Sequence, residues 1–154
     1  MYKMKAYEEA IEKLTERTSN ERDLIANLAN TSAILAEHIE DINWVGFYLF
    51  KEGQLVLGPF QGRPACVRIE VDKGVCGGAF LKNEPMIITD VMKFPGHIAC
   101  DARSKSEIVI PMHFMGERVG VLDIDSPIVG RFDEVDKKYL EKIVKILELS
   151  CKWK

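Results

Sequence analysis

The sequence predicts an α+β fold in which helices cover an antiparallel sheet. Helix patterns stand at both ends of the 154-residue chain, and about six short strand patterns lie between them. Short turns join most of these strands as hairpins, which makes the predicted sheet antiparallel. No repeat, low-complexity segment or linker divides the sequence, so we expect one domain over residues 1–154.

Two helices are predicted to open the chain. Residues 3–18 form a charged segment with a weak apolar stripe. The spacing of Thr18 and Glu21 is that of a capping box, so a second helix is predicted to begin there. The apolar residues of that helix recur at nearly helical spacing and share one face: Leu24, Leu28, Leu35 and Ile39.

The strand patterns begin at Asn43 with NWVGFYLF, which meets the turn KEG and a second run, QLVLG. CVRIEV alternates as a strand, GVCGGAFLKN indicates a loop that opens a short helix, and MIITD is a strand fragment. SEIVIPMHF and RVGVLDID are strong strands joined by the turn MGE. The last helix is predicted from Asp133 to about Cys151, with acids in its first turn, as the helix dipole favours.

Composition excludes several classes of function. The net charge is −3, and no stretch concentrates lysine and arginine, so we expect neither a nucleic-acid nor a membrane partner. The N-terminus lacks the apolar run of a signal peptide, which favours a cytoplasmic protein. In a reducing cytoplasm the four cysteines are more plausibly reactive thiols, metal ligands or core residues than structural disulfides.

Three of the four cysteines lie in loop-like contexts. Cys100 stands in the polar segment FPGHIACDARSKSE, which suits a thiol that meets a substrate better than one that packs in a core. Cys76 has glycines on both sides and is predicted near a helix N-terminus, where a thiolate is favoured. Cys66 follows a proline and an alanine, and Cys151, near the end of the last helix, receives no role.

Inert packing is the simplest interpretation of any single cysteine. A zinc site made by His97, Cys100, Cys66 and Cys76 is a second candidate, but the wide spacing disfavours it, and we expect no metal. A cysteine hydrolase using Cys100 with His97 or His113 is weaker still. Redox exchange, in which one oxidised thiol is attacked by a second, uses several thiols at once and is the favoured hypothesis.

Acids and aromatics supply a possible pocket beside the thiols. Asp123 and Asp125 are two apart on one strand and share a face, and the hairpin places Glu107 beside them. When carboxylates lie this near to one another, the pKa of at least one of them is raised. One acid can then donate a proton while another binds an ammonium group. Trp44 and Tyr48 share a strand face and either form a wall for a methyl group or belong to the core.

These segments together resemble the free methionine-(R)-sulfoxide reductases, a family built on a GAF domain. The similarity runs from about residue 20 to residue 147 and includes PFQG-x-x-AC, GVCG and FPGHIACD-x-x-S-x-SEIV-x-P. It implies a GAF-like fold with a six-stranded antiparallel sheet flanked by helices, a homodimer, and thioredoxin as reductant. It also implies that Cys100 is the nucleophile, Cys66 its resolving partner, and Cys76 a supporting or alternative resolving thiol.

The same resemblance assigns substrate holding and proton transfer to Glu107, Asp123 and Asp125, with Trp44 and Tyr48 as the aromatic wall. The expected reaction is reduction of free L-methionine-(R)-S-oxide to L-methionine without a cofactor. Two rival classes remain open. A sensory GAF domain would bind a small ligand without turnover, and a structural zinc module would bind metal stoichiometrically and unfold with a chelator.

Overall fold

The structure is a computed structural model that describes residues 2–97 and 100–154. Its strands are β1 (Trp44–Lys51), β2 (Gln54–Gly62), β3 (Arg68–Glu70), β4 (Met86–Ile88), β5 (Ser106–Phe114) and β6 (Glu117–Ser126). Its α-helices within those residues are α1 (Tyr2–Thr18), α2 (Leu24–His38), α3 (Gly74–Lys82) and α4 (Glu134–Ser150). The strands form one sheet in the order β3-β2-β1-β6-β5-β4.

The predicted α+β fold with an antiparallel sheet is confirmed, because every strand pair in the sheet is antiparallel. β2 and β3 differ most in length from the prediction. β2 continues to Gly62 because β1 pairs with it along its whole length, up to Trp44 opposite Gly62. β3 keeps only three residues of CVRIEV, since an edge strand gains hydrogen bonds from one neighbour.

The two faces of the sheet are covered differently. Helices α1, α2 and α4 form a layer over one face and enclose the larger core, which includes Leu28, Phe47, Leu122 and Leu140. The short helix α3 covers part of the other face, where a smaller cluster contains both aromatic residues and thiols. None of the helices within the described residues has the length and apolar character needed to cross a membrane.

The start of α2 corrects the predicted capping box. Thr18 ends α1, and its hydroxyl donates to the Leu14 carbonyl within that helix, so it cannot cap the next one. The N-cap of α2 is Asp23, whose side chain accepts from the Ala26 amide at 2.8 Å. Glu21 instead accepts from the backbone amides of the two residues that follow it.

A buried ionic network ties α1 to α4. The Asp136 side chain is 0% exposed and accepts a hydrogen bond from the Tyr7 hydroxyl at 2.7 Å and one from Lys3 at 2.8 Å. Arg131 donates to the same carboxylate at 3.3 Å. These three side-chain donors come from outside α4, so this single carboxylate holds α1 and the segment before α4 to α4.

Asp136→Ala is expected to lower the free energy of unfolding by about 3–5 kcal/mol, because it leaves buried donors without an acceptor. The measurement is chemical denaturation of the variant beside the parent protein. Glu134→Ala is the matched control, since that side chain lies on the same helix turn and is 79% exposed. A loss below about 1 kcal/mol for Asp136→Ala would contradict this account of how α1 is held.

Candidate active site

A cavity of about 40 Å³ lies on the face of the sheet that α3 covers. Strands β1, β5 and β6 form its floor, α3 lies over one side, and the segments after β2 and before β5 complete the walls. Its lining includes every residue that the sequence predicted for the site except Cys66: Trp44, Tyr48, Cys76, Cys100, Glu107, Asp123 and Asp125.

The predicted carboxylate cluster forms on the floor of this cavity. Register in the β5–β6 pair places Glu107 opposite Asp125, while Asp123 lies two residues back along β6 on the same face. Glu107 is 7% exposed and Asp123 5% exposed. Burial, followed by the charges of its two neighbours, raises the pKa of Glu107 well above its usual value.

The three carboxyl groups are not equivalent. Burial and the charge of Asp123 raise the pKa of Asp125 well above its usual value. Burial also raises the pKa of Asp123, but hydrogen bonds from Glu107, Cys76 and Asp125 oppose that rise. Among the described residues, Oδ1 of Asp123 has no hydrogen-bond partner although it is buried. The cluster therefore suits one negative charge, centred on Asp123, beside protonated neighbours.

Cys76 departs from the predicted helix-terminal thiolate. It is the third residue of α3 and is 4% exposed, with its sulfur 3.8 Å from a carboxyl oxygen of Glu107. Burial, then the charges of Asp123 and Glu107, raises the pKa of this thiol well above its usual value. The expectation of a thiolate was wrong because desolvation and nearby carboxylates outweigh the partial charge of a short helix.

Cys66 and Cys100 form a disulfide with their Cα atoms 5.5 Å apart. Cys66 lies between β2 and β3, and Cys100 lies in the segment before β5, so neither belongs to a helix or strand. The other two cysteines, Cys76 and Cys151, are free and buried. The two cysteines that the resemblance assigned as nucleophile and resolving thiol are therefore the pair that the structure joins.

The disulfide changes the metal hypothesis drawn from the sequence. Cys66 and Cys100 are bonded to each other and offer no thiolate to a metal in this form. Within the described part of the chain, the donors close enough to share a metal ion are Cys76, Glu107 and Asp123, whose ligand atoms all lie within 4.8 Å of one another. This set combines one soft and two hard donors, and Cys76 and Glu107 would first have to lose their protons.

The two histidines considered as bases lie in different places. His97 lines the cavity, and burial lowers its pKa. His113 lies near the far end of β5, where its ring contacts Asn83 and its backbone amide donates to Glu148 at 2.6 Å. His113 is therefore a satisfied sheet residue and not a partner of Cys100.

Trp44 and Tyr48 stack on the β1 side of the cavity, with ring centroids 6.0 Å apart. Both rings are buried, and the polar group of each donates a hydrogen bond to the segment that carries Cys66. The Trp44 indole donates to the Arg63 carbonyl at 3.2 Å, and the Tyr48 hydroxyl donates to the Cys66 carbonyl at 2.8 Å. They form both an aromatic wall and an anchor for the thiol segment.

Gly62 makes room for this wall. Its φ of +143° lies in a region that favours glycine, and a Cβ atom there would overlap the Trp44 ring. The sequence motif around Gly62 therefore has a steric reason in addition to its place at the end of β2.

Sequence reasoning missed three polar residues at the edge of the cavity. Asn43 stands immediately before β1 and donates from its side chain to Asp101 and Ser104. Asp101 and Ser104 line the cavity next to Cys100. No periodicity indicates these contacts of Asn43, because its partners lie about 60 residues away in the sequence.

An antiparallel sheet with helices on both faces and a small pocket on one of them is the architecture of GAF domains. Residues 25–148 match the GAF domain family, and the chain belongs to that family. The free methionine-R-sulfoxide reductase of Escherichia coli (strain K12) is 54% identical over 130 residues, which cover 84% of this chain and 79% of the relative.

Solved structures point to the same group. The free methionine-R-sulfoxide reductase of Neisseria meningitidis in complex with its substrate superposes with a TM-score of 0.91 at 45% identity, covering 95% of this chain and 89% of that one. A Staphylococcus aureus fRMsr in its reduced form gives a TM-score of 0.91 at 50% identity, covering 94% of each chain. Within the GAF family, the chain belongs with the free methionine-R-sulfoxide reductases.

Proposed function

We propose that this protein reduces free L-methionine-(R)-S-oxide to L-methionine by thiol chemistry at Cys100. The observation that carries the proposal is the Cys66–Cys100 disulfide beside a cavity lined with acids and aromatic rings. A disulfide in that position is the product expected when the second thiol resolves an oxidised first thiol. The choice of substrate comes from the similar proteins, which are free methionine-R-sulfoxide reductases.

The first step transfers oxygen from the substrate to the enzyme. The Cys100 thiolate attacks the sulfoxide sulfur while Glu107 or Asp125 protonates the oxygen, which is otherwise a poor group to release. Burial raises the pKa of both acids well above its usual value, so each holds a proton above the ordinary carboxyl range. The attack forms a transient S–S bond between Cys100 and the substrate sulfur. As the protonated oxygen passes from the substrate sulfur to Cys100, that S–S bond and the S–O bond of the substrate break, methionine leaves, and Cys100 becomes a sulfenic acid. The substrate sulfur gains two electrons and the thiol sulfur loses two.

The second step closes the disulfide. The Cys66 thiol attacks the sulfenic sulfur of Cys100, and water leaves. A dithiol reductant then restores both thiols by disulfide exchange. Thioredoxin in this role, and a homodimer as the working form, rest on resemblance to the reductases alone. Cys76 takes a supporting role beside Glu107, or serves as an alternative resolving thiol.

The acids also explain why a free amino acid is the substrate. Oδ1 of Asp123 has no hydrogen-bond partner in the part of the chain that the structure describes, and an ammonium group placed there would supply a positive charge to this buried cluster. The substrate methyl group would then face the rings of Trp44 and Tyr48. Methionine oxide inside a polypeptide has an amide in place of the ammonium group, so it leaves the Asp123 charge buried and unpaired.

The test is the consumption of each methionine sulfoxide diastereomer with dithiothreitol or thioredoxin as reductant. We expect turnover of the free R form and none of the S form. N-acetyl-methionine-(R)-S-oxide should react at least about a hundredfold more slowly, because a site built for a charged group rejects an analogue that lacks it. Binding of the free R form without consumption would indicate a GAF sensor and contradict the proposal.

A further inference from the structure

The segment that carries Cys100 is held by a contact from the opposite side of the site. Nδ2 of Asn43 donates to a carboxylate oxygen of Asp101 at 3.2 Å and to the hydroxyl of Ser104 at 3.1 Å. The Asn43 backbone amide donates to the Asp125 carbonyl at 2.9 Å, which fixes Asn43 itself to strand β6. One side chain therefore links the turn after Cys100 to the floor of the cavity.

The turn offers Asn43 a rigid, charged acceptor. The Asp101 side chain accepts from the Arg103 backbone amide at 2.9 Å and from the Arg103 guanidinium at 2.9 Å. The backbone amide of Ser104 donates to the Asp101 carbonyl at 3.1 Å. The Arg103 and Asn43 hydrogen bonds lower the pKa of Asp101 to about 2, so this acceptor is charged at neutral pH.

The side-chain amide of Asn43 includes one buried atom that destabilises the fold. Its Oδ1 is buried without a hydrogen-bond partner among the described residues, and such an orphaned acceptor is destabilising. A residue that served packing alone could be apolar here. The contribution of this side chain is therefore the pair of hydrogen bonds that its Nδ2 atom donates to Asp101 and Ser104.

The segment of the partner thiol is held by residues of strand β1, which begins directly after Asn43. Trp44 and Tyr48 donate to the carbonyls of Arg63 and Cys66, and Trp44 directly follows Asn43 in the sequence. The start of β1 thus anchors both segments that the disulfide joins. Fixing two thiols relative to a common strand raises the effective concentration of one thiol at the other.

We infer that Asn43 is a positioning residue for the thiol pair: by clamping the turn at Asp101 and Ser104, it favours closure of Cys100 onto Cys66. The biological meaning of this clamp rests on the proposed function, in which that closure resolves the sulfenic acid formed in each turnover. The clamp itself is a property of the two thiols and can be measured without any methionine sulfoxide.

The test is the equilibrium of the protein with glutathione. In this exchange the protein dithiol reduces glutathione disulfide, giving the Cys66–Cys100 disulfide and two glutathione thiols. Asn43→Ala is expected to shift the equilibrium constant at least about tenfold toward the dithiol, since it removes one hydrogen bond to a charged group and one to a hydroxyl. Asn30→Ala, on an exposed position of α2, is the control and should leave the constant unchanged.

A second variant separates positioning from general destabilisation. Ser104→Ala removes one acceptor and should shift the constant in the same direction but less, because Asn43 still reaches Asp101. In the Asn43→Ala background it should add nothing, since Ser104 acts through Asn43. An unchanged constant in folded Asn43→Ala, or full additivity of the two changes, would overturn the inference. A parent protein without reductase activity but with the tenfold shift would leave the clamp standing and refute only the proposed function.

Discussion

Cys100→Ser is expected to lower the turnover of free methionine-(R)-sulfoxide at least about a thousandfold, because a serine hydroxyl is a far weaker nucleophile than a thiolate. Purified variant and parent would be compared by methionine release under saturating reductant. Cys151→Ser is the matched control, since that thiol is buried in the helical layer and belongs to the other core. Turnover that survives in Cys100→Ser would reassign the nucleophile.

Cys66→Ser separates the two thiols of the pair. It should release about one methionine per protein and then stop, because the sulfenic acid at Cys100 has lost the thiol placed to resolve it. Dimedone labelling followed by peptide mass analysis locates the trapped sulfenic acid. A label on Cys76, or repeated turnover through Cys76, would make that buried thiol a direct participant instead of a support.

Asp123→Asn is expected to lower kcat/KM for the free sulfoxide at least about a hundredfold, mainly through KM. The amide keeps the size of the carboxylate but cannot meet an ammonium group with a full charge, and loss of a buried charge pair typically costs 2–5 kcal/mol of binding. Glu117→Gln is the control, because Glu117 lies on the same strand and its side chain is 71% exposed. Equal losses in both variants would argue against a specific ammonium site.

The same substitution should raise the free energy of unfolding of the substrate-free protein. The pKa of Asp123 and those of its two neighbours are raised in the folded state, so the folded protein holds these protons to higher pH than the unfolded chain does. Stability is therefore expected to fall as pH rises above the ordinary carboxyl range, near about 4. Asp123→Asn should flatten this fall in a series of denaturation curves, and an unchanged slope would contradict the assignment.

Much of this molecule can be predicted from local sequence. The apolar and β-branched runs in SEIVIPMHF and RVGVLDID, with a short turn between them, predict the β5–β6 hairpin and hence the proximity of Glu107 to Asp125. Helix α4 is also predicted well, because its acids gather in the first turn. These features depend on residues close together in the chain or on the strict period of a strand.

Features that depend on tertiary burial are not visible in the sequence. The helix-terminal position of Cys76 suggests a thiolate, and only its burial against Glu107 reverses the direction of its pKa shift. Thr18 and Glu21 have capping-box spacing, but the Thr18 hydroxyl is already bonded within α1. Asn43 and Asp101 are 58 positions apart in the sequence, and their contact follows no periodic pattern, so no local signal predicts it.

β6 lies in the middle of the sheet, so the acids of the cavity floor have a different backbone support from the two cysteines of the disulfide. β6 pairs with β1 on one side and with β5 on the other. The backbone that carries Asp123 and Asp125 therefore cannot shift without breaking hydrogen bonds to both neighbouring strands. The two sulfurs of the pair, by contrast, lie on connections outside the sheet, which are held by side-chain hydrogen bonds and not by strand pairing. When the disulfide is reduced, the acids of the cavity floor should therefore keep their positions while the segments that carry Cys66 and Cys100 shift. Amide hydrogen exchange would then be slow in β6 and faster in those two segments.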